Sequence, residues 1–168
     1  MPNLAELAKP ELIKDVQTPP GFGDGVFWAS LITGTNVGKH GHFFPLHFDS
    51  NSYDLFNFSL DTDLAREPFW HFCSSMDRTV GVVDIYTSPL VSGLKGIQVM
   101  DWMIHDRTGE PRSWPSPLID QLHQQYMKDP LGGNSESDGR SEQEEKDFQQ
   151  AMLDRIAAKK DALSLIHI

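Results

Sequence analysis

The chain has a single cysteine, Cys73, among 168 residues, so no internal disulfide can staple it. A domain of this length can bury roughly two thirds of its extended-chain surface, so a packed core can take that role. No apolar run approaches the ~20 residues that cross a bilayer, which excludes a spanning helix. Positive charge is scarce as well. Fourteen Lys and Arg stand against 24 Asp and Glu, for a formal charge of -10. No basic stripe gathers the few cations, which argues against a nucleic-acid partner. The opening MPNLAELAKPEL has neither a long apolar stretch nor a basic leader. With a lone thiol, the expected setting is a reducing, cytoplasmic one.

What the chain does have is unevenly spread. All four tryptophans and most of the Phe and Tyr residues lie between Phe22 and Trp114, while both ends are polar and rich in Ala, Glu, Lys and Gln. Residues 1–20 read as a helical arm, with Asn3 and Glu6 at capping spacing, ended by Thr18, Pro19, Pro20 and the glycines that follow. Residues 116–133 read as a helix opened by Ser116 and Pro117, and 134–140 as a linker too polar to fold alone. Residues 141–162 read as an amphipathic helix that begins with Ser141 and Glu144 as a capping box and needs a partner surface. The last six residues, 163–168, spell LSLIHI, the translation of a transposase adapter used in sequencing libraries. They are set outside the fold as a sequencing-adapter artefact, with the expectation that the natural chain continues further.

The aromatic middle, 21–115, reads as short apolar stretches separated by turn residues, several with period-two alternation. Strands are expected over 26–33, 41–48, 53–60, 69–74, 79–87 and 96–106. Sequential strands with short connections favour an antiparallel meander, since parallel pairs need long crossovers. The expected fold is therefore mainly β: an antiparallel barrel-like domain with a short N-terminal helix and C-terminal helices.

The densest polar cluster runs from Gly38 to Asp49, GKHGHFFPLHFD. In an extended segment His40 and His42 share a face about 7 Å apart, and His47 can join them around a transition metal such as Fe or Zn. Gly34, His40-Gly41-His42 and His47 in this spacing resemble the first metal motif of cupins, with His47 where that family usually carries a carboxylate. His47-Phe48-Asp49 is similar to part of the facial triad of iron oxygenases, for which His105 is the candidate distant histidine.

A longer stretch carries a second resemblance. Phe27-Trp28-Ala29-Ser30-Leu31-Ile32-Thr33-Gly34-Thr35, a glycine-lysine turn and His47, then Val83-Asp84-Ile85-Tyr86-Thr87-Ser88-Pro89-Leu90 with Gly93 and Gly96, look like segments of the lipocalin-like group of carotenoid hydratases, kievitone-hydratase-like enzymes and Diels-Alderases. The resemblance implies a barrel around an apolar small molecule, without a cofactor, whose hydration, cyclisation or isomerisation is promoted by a few polar groups in a dry pocket.

Asp84, Asp101 and His105 are polar residues on otherwise apolar faces and are the candidates for acid or base work. Along one straight strand Asp101 and His105 lie about 13 Å apart, so a substrate or bulge must come between them. Trp28, Trp70, Tyr86 and Trp102 are the candidate ligand-binding aromatics. Read as strand, the segment around Cys73 puts His71 on the same face, a nucleophile arrangement without a third orienting group. Gly34–Lys39 is one residue short of a phosphate loop, and Val26 stands where a dinucleotide fingerprint needs glycine, so neither motif is present. Three readings follow: an apolar-ligand protein acting as binder or enzyme, a cupin-like metalloenzyme, and a non-catalytic scaffold whose C-terminal helices meet a partner protein.

Overall fold

The computed structural model describes residues 21–104, 109–132 and 139–165. The helical arm expected at 1–20, the candidate His105, most of the 134–140 linker and residues 166–168 lie outside the described residues. The described chain is mixed α/β, and the barrel expectation is overturned: its sheets have two and three strands and do not close. In chain order the elements are α1 (Asp24–Thr33), α2 (Val37–His40), β1 (Leu46–Phe48), β2 (Leu55–Asn57), α3 (Phe69–Ser75), β3 (Val80–Val83), β4 (Gly96–Met100), β5 (Arg112–Trp114), α4 (Leu118–Gln125) and α5 (Glu142–Leu165).

Two of the expected strands are helices. In α1 the residues VFWASLIT are β-favouring by type, yet Val26, Ala29 and Ile32 are the buried ones, a three-residue spacing that lays one stripe on the core. A strand would have buried Ser30 with Val26 and Ile32 instead. Gly34 ends the helix in the left-handed conformation at φ 63°, as C-terminal glycines do. In α3 the preceding Pro68 occupies the N-cap position, and the helix buries Trp70 while Phe69 and Phe72 stay exposed.

The second departure is in pairing. β3 and β4 are parallel, with Val80 opposite Gly96 and Val83 opposite Val99, whereas β4 and β5 are antiparallel. The crossover, residues 84–95, contains no helix. It is held instead by fully buried Gln98 on β4, whose Oε1 accepts from the Val91 N–H at 2.9 Å and whose Nε2 donates to the Pro89 carbonyl at 2.7 Å. Both ends of that amide are satisfied, which is the condition for burying it.

The pleat sends alternate residues to two separate cores. Val82 faces a cluster with Ile32 of α1, Trp70 of α3, Val91 and Leu94, and Trp114 packs on the same side. Val99 faces a second cluster with Trp102, Met103 and Ala162, covered by Val83, Leu118, Leu122, Tyr126 and Ala158. The three-stranded sheet is thus a middle layer, with α1 and α3 on one face and α4 and α5 on the other. α5 docks on its own chain: the Arg155 guanidinium donates to both oxygens of Asp129 at 3.0 and 2.8 Å, and Lys159 Nζ lies 2.8 Å from Asp84 Oδ2. At its start, the Ser141 N–H donates to the Glu144 carboxylate at 2.8 Å, one half of a capping box. None of the described helices is long and apolar enough to cross a membrane.

The β1–β2 hairpin stands apart from both cores. Leu46 and Phe48 share one face with Leu55, directly opposite Phe48, and all three are exposed. Replacing Phe48 by Asn and Leu55 by Thr is therefore expected to change folding stability by no more than about 0.5 kcal/mol, since neither side chain fills a core. The same double variant should show clearly lower fluorescence enhancement of a hydrophobic dye than the parent, measured at equal protein concentration.

Candidate functional site

The opposite face of the hairpin is where the histidines gather. His47 on β1 points toward His42, which follows the left-handed Gly41 that ends α2. Their rings are nearly parallel, with centroids 6.4 Å apart, and Phe58 lies against both, at 4.8 Å from His42 and 4.5 Å from His47. His42 is 4% exposed. A Cβ on Gly25 of α1 would come within 2.8 Å of its Nε2, so the helix can approach the ring only because residue 25 is glycine.

His40 is also buried but turned away to other partners. Its Nε2 shares a 2.9 Å hydrogen bond with Ser30 Oγ, and its Nδ1 accepts from the His42 N–H at 3.2 Å. The trio expected to hold a metal is therefore reduced to a pair with free nitrogens. Among the described residues no three His, Cys, Asp or Glu side chains converge as metal ligands. His42 Nδ1 and His47 Nε2 are buried without a hydrogen-bond partner. Each such group costs roughly 1–3 kcal/mol if nothing meets it. Burial holds the His40 imidazole below its ordinary pKa, and the His42 imidazole is lowered by burial first and then by neighbouring His47 and His40. Both favour the neutral ring.

The candidate acids occupy a different place. Asp84 has a side chain with no exposure, and each of its oxygens is engaged: Oδ1 accepts from the Trp102 N–H at 2.9 Å, and Oδ2 from the Met103 N–H at 3.0 Å and from Lys159. Two backbone N–H groups and the Lys159 ammonium converge on its carboxyl group, which makes it an anchor for the 101–103 turn. Asp101, at the start of that turn, is buried with φ 55°. Cys73 and His71 lie on helix α3, where residues two apart point in different directions, so the shared face expected for them is absent. His71 instead lies 3.8 Å from Glu67.

The four candidate aromatics separate. Trp70 is in the first core, and Trp28 meets Tyr86 edge-on at 6.0 Å. Trp102 borders a cavity of about 170 Å³ between the sheet, α4 and α5. Its walls are Val83, Ile97, Val99, Trp102, Leu118, Leu122, Gln125, Tyr126, Ala162 and Leu163. The last of these corrects the expectation that residues 163–165 lie outside the fold, since α5 continues through them. The Trp102 Nε1–H is spent on the Met127 carbonyl at 3.1 Å, so the indole is fixed and its polar atom is satisfied. Tyr126 meets it edge-on at 6.1 Å. No carboxylate, imidazole or thiol is among the described wall residues. A second concavity, of about 210 Å³, lies near Arg66, Glu67 and His71 and is polar; its Asp61 is taken by Arg112 and by the Leu90 N–H.

Sequence reasoning missed Phe58, Tyr126, Ala162 and Lys159. For Tyr126 a signal existed, its place on the apolar stripe of the helix after Ser116. For Ala162 and Lys159 there was none, because their roles come from where α5 docks. Comparison of the chain with family models, with curated proteins and with solved structures gives no match.

Proposed function

We propose that the chain binds a small apolar molecule in the cavity walled by Trp102, Tyr126 and Ala162. The observation that carries this reading is a partly open cavity of about 170 Å³ whose walls are aliphatic and aromatic apart from Gln125. An apolar cavity near 150 Å³ stays dry and admits benzene, which sets the scale of the guest at about one substituted ring. A long polyene does not fit. The absence of a carboxylate, imidazole or thiol from the described walls favours binding over catalysis, and Gln125 and Tyr126 are the wall residues that offer polar groups to a single oxygen on the guest.

Trp102 is the built-in reporter. Titration with a panel of monocyclic hydrocarbons, phenols and small cyclic ketones is expected to change tryptophan emission saturably for at least one class. Ala162→Leu, which adds three carbons to a cavity wall, should weaken that binding tenfold or more while leaving the circular dichroism spectrum unchanged. No saturable change with any member of the panel, or equal affinity in Ala162→Leu, would overturn the reading.

A further inference from the structure

Half of the large apolar side chains left exposed among the described residues, seven of fourteen, lie between residues 43 and 56, on and beside the β1–β2 hairpin. A patch of that density on a water-facing element marks a contact surface. Leu46, Phe48 and Leu55 share its outer face, and Tyr53, 80% exposed, meets the Phe48 ring edge-on at 5.9 Å. The backbone is open as well. The Phe58 N–H donates to the Pro45 carbonyl at 2.8 Å and the Asp49 N–H to the Asp54 carbonyl at 2.9 Å, so in the observed register Pro45, His47 and Asp49 bond across the hairpin. Leu46 and Phe48 therefore turn their N–H and carbonyl groups away from β2. The sheet has only two strands, and none of those groups finds another partner among the described residues.

Charge selects the occupant. From residue 40 to residue 65 the chain has four Asp and no Glu, Lys or Arg, and among the described residues only Asp61 pairs with a basic side chain, Arg112. By the alternation of the pleat Asp49 and Asp54, opposite each other at the end of the hairpin, fall on the face of His47, and Leu46 and Phe48 on the other. A second copy of this chain would bring the same aspartates and a net charge of -10 against them, and an anionic membrane would be repelled likewise. β1 is the better edge, because its outward residues are both apolar, whereas β2 presents Leu55 and the polar Asn57. We infer that the outer edge of β1 takes up an extended segment of another protein, in which apolar residues alternate with Lys or Arg. Added as a third strand, the segment sets apolar side chains beside Leu46 and Phe48 and cations toward Asp49 and Asp54, while its backbone meets the open N–H and carbonyl groups. The surface lies outside both hydrophobic clusters and shares no residue with the Trp102 cavity.

The probe is a fluorophore-labelled octapeptide alternating valine and lysine, titrated with the full chain at low ionic strength and read by anisotropy, beside its valine–glutamate counterpart. The lysine peptide is expected to bind saturably, to weaken as salt is added, and to slow hydrogen exchange at the Leu46 and Phe48 amides. The glutamate peptide should not bind. Phe48→Asn with Leu55→Thr should weaken binding tenfold or more, Asp49→Asn with Asp54→Asn should flatten its salt dependence, and Leu153→Gln, at an exposed position of α5, should change neither. No saturable binding of the lysine peptide, equal binding of the glutamate peptide, unchanged affinity in the Phe48 and Leu55 double variant, or unaltered exchange at Leu46 and Phe48 would each overturn the assignment. So would a dimer in sedimentation velocity, or flotation with neutral or anionic lipid vesicles, that the same double variant abolishes.

Discussion

Gly96→Ala should be the most damaging small substitution in the chain, lowering folding stability by more than about 3 kcal/mol in urea unfolding. Gly96 opens β4 at φ 140°, a conformation nearly closed to residues with a Cβ. A Cβ built there would lie 1.9 Å from the Val80 carbonyl oxygen, 2.8 Å from its nitrogen and 2.9 Å from its carbonyl carbon. All three atoms are backbone, so no rotamer change can make room. Val80 cannot retreat either, because its N–H donates to the Lys95 carbonyl at 2.9 Å and its strand supplies Val82 and Val83 to the two cores. The clash therefore separates β3 from β4 and loosens both faces of the sheet. Trimming the Val80 side chain to glycine should not rescue the variant, which distinguishes a backbone collision from ordinary overpacking.

Asp84→Ala is the second large effect, expected at about 3–5 kcal/mol by the same measurement. The substitution removes an acceptor from the buried N–H groups of Trp102 and Met103, leaving both unmet, and takes the carboxylate from the Lys159 ammonium, which keeps only the Met103 carbonyl at 3.3 Å. Lys159→Met in the Asp84→Ala background should recover part of the loss, because it removes a cation left without its counter-charge, and the two changes should be clearly non-additive. Asp84→Asn should fall between parent and alanine: its single amide oxygen can accept one of the N–H bonds, but its NH₂ group opposes a donor.

The two effects also mark where the sequence was readable. The alternation of Val80 and Val82 points to a strand over 79–87, and a shorter one is present over Val80–Val83, because β-branched residues on a pleat need no distant information. The Ser141–Glu144 spacing points to a helix start, and α5 begins there, because capping is local. α1 and α3 were misread because Phe, Trp, Val, Ile and Thr are β-formers by type. Which face they bury depends on the sheet beneath them, and tertiary packing overrode propensity. The parallel pairing was hidden for a related reason: a crossover usually announces itself by a helix, and here Gln98, an unremarkable polar residue in the sequence, replaces one with two hydrogen bonds.

For the candidate sites the division is similar. Local spacing brought His40, His42 and His47 into one neighbourhood, but only the approach of α1 shows that Ser30 diverts His40. Trp102 does border a cavity, on the far side of the sheet from Trp70 and away from the barrel interior that both were expected to share. Asp84, expected on an apolar strand face, instead follows the end of β3 at φ 49°. Its neighbours in space, not in sequence, make it a keystone of the packing.

That keystone binds together parts of the chain that come from distant stretches. A single carboxylate joins the end of β3, the turn after β4 and the C-terminal helix, so these cannot come undone separately, and everything from residue 80 onward that the sheet carries should melt in one cooperative step. The hairpin contributes no residue to either hydrophobic cluster and is excluded from that unit. Two tiers of protection against hydrogen exchange follow: a slow sheet-and-helix body, and a fast-exchanging hairpin that can open while the body stays closed.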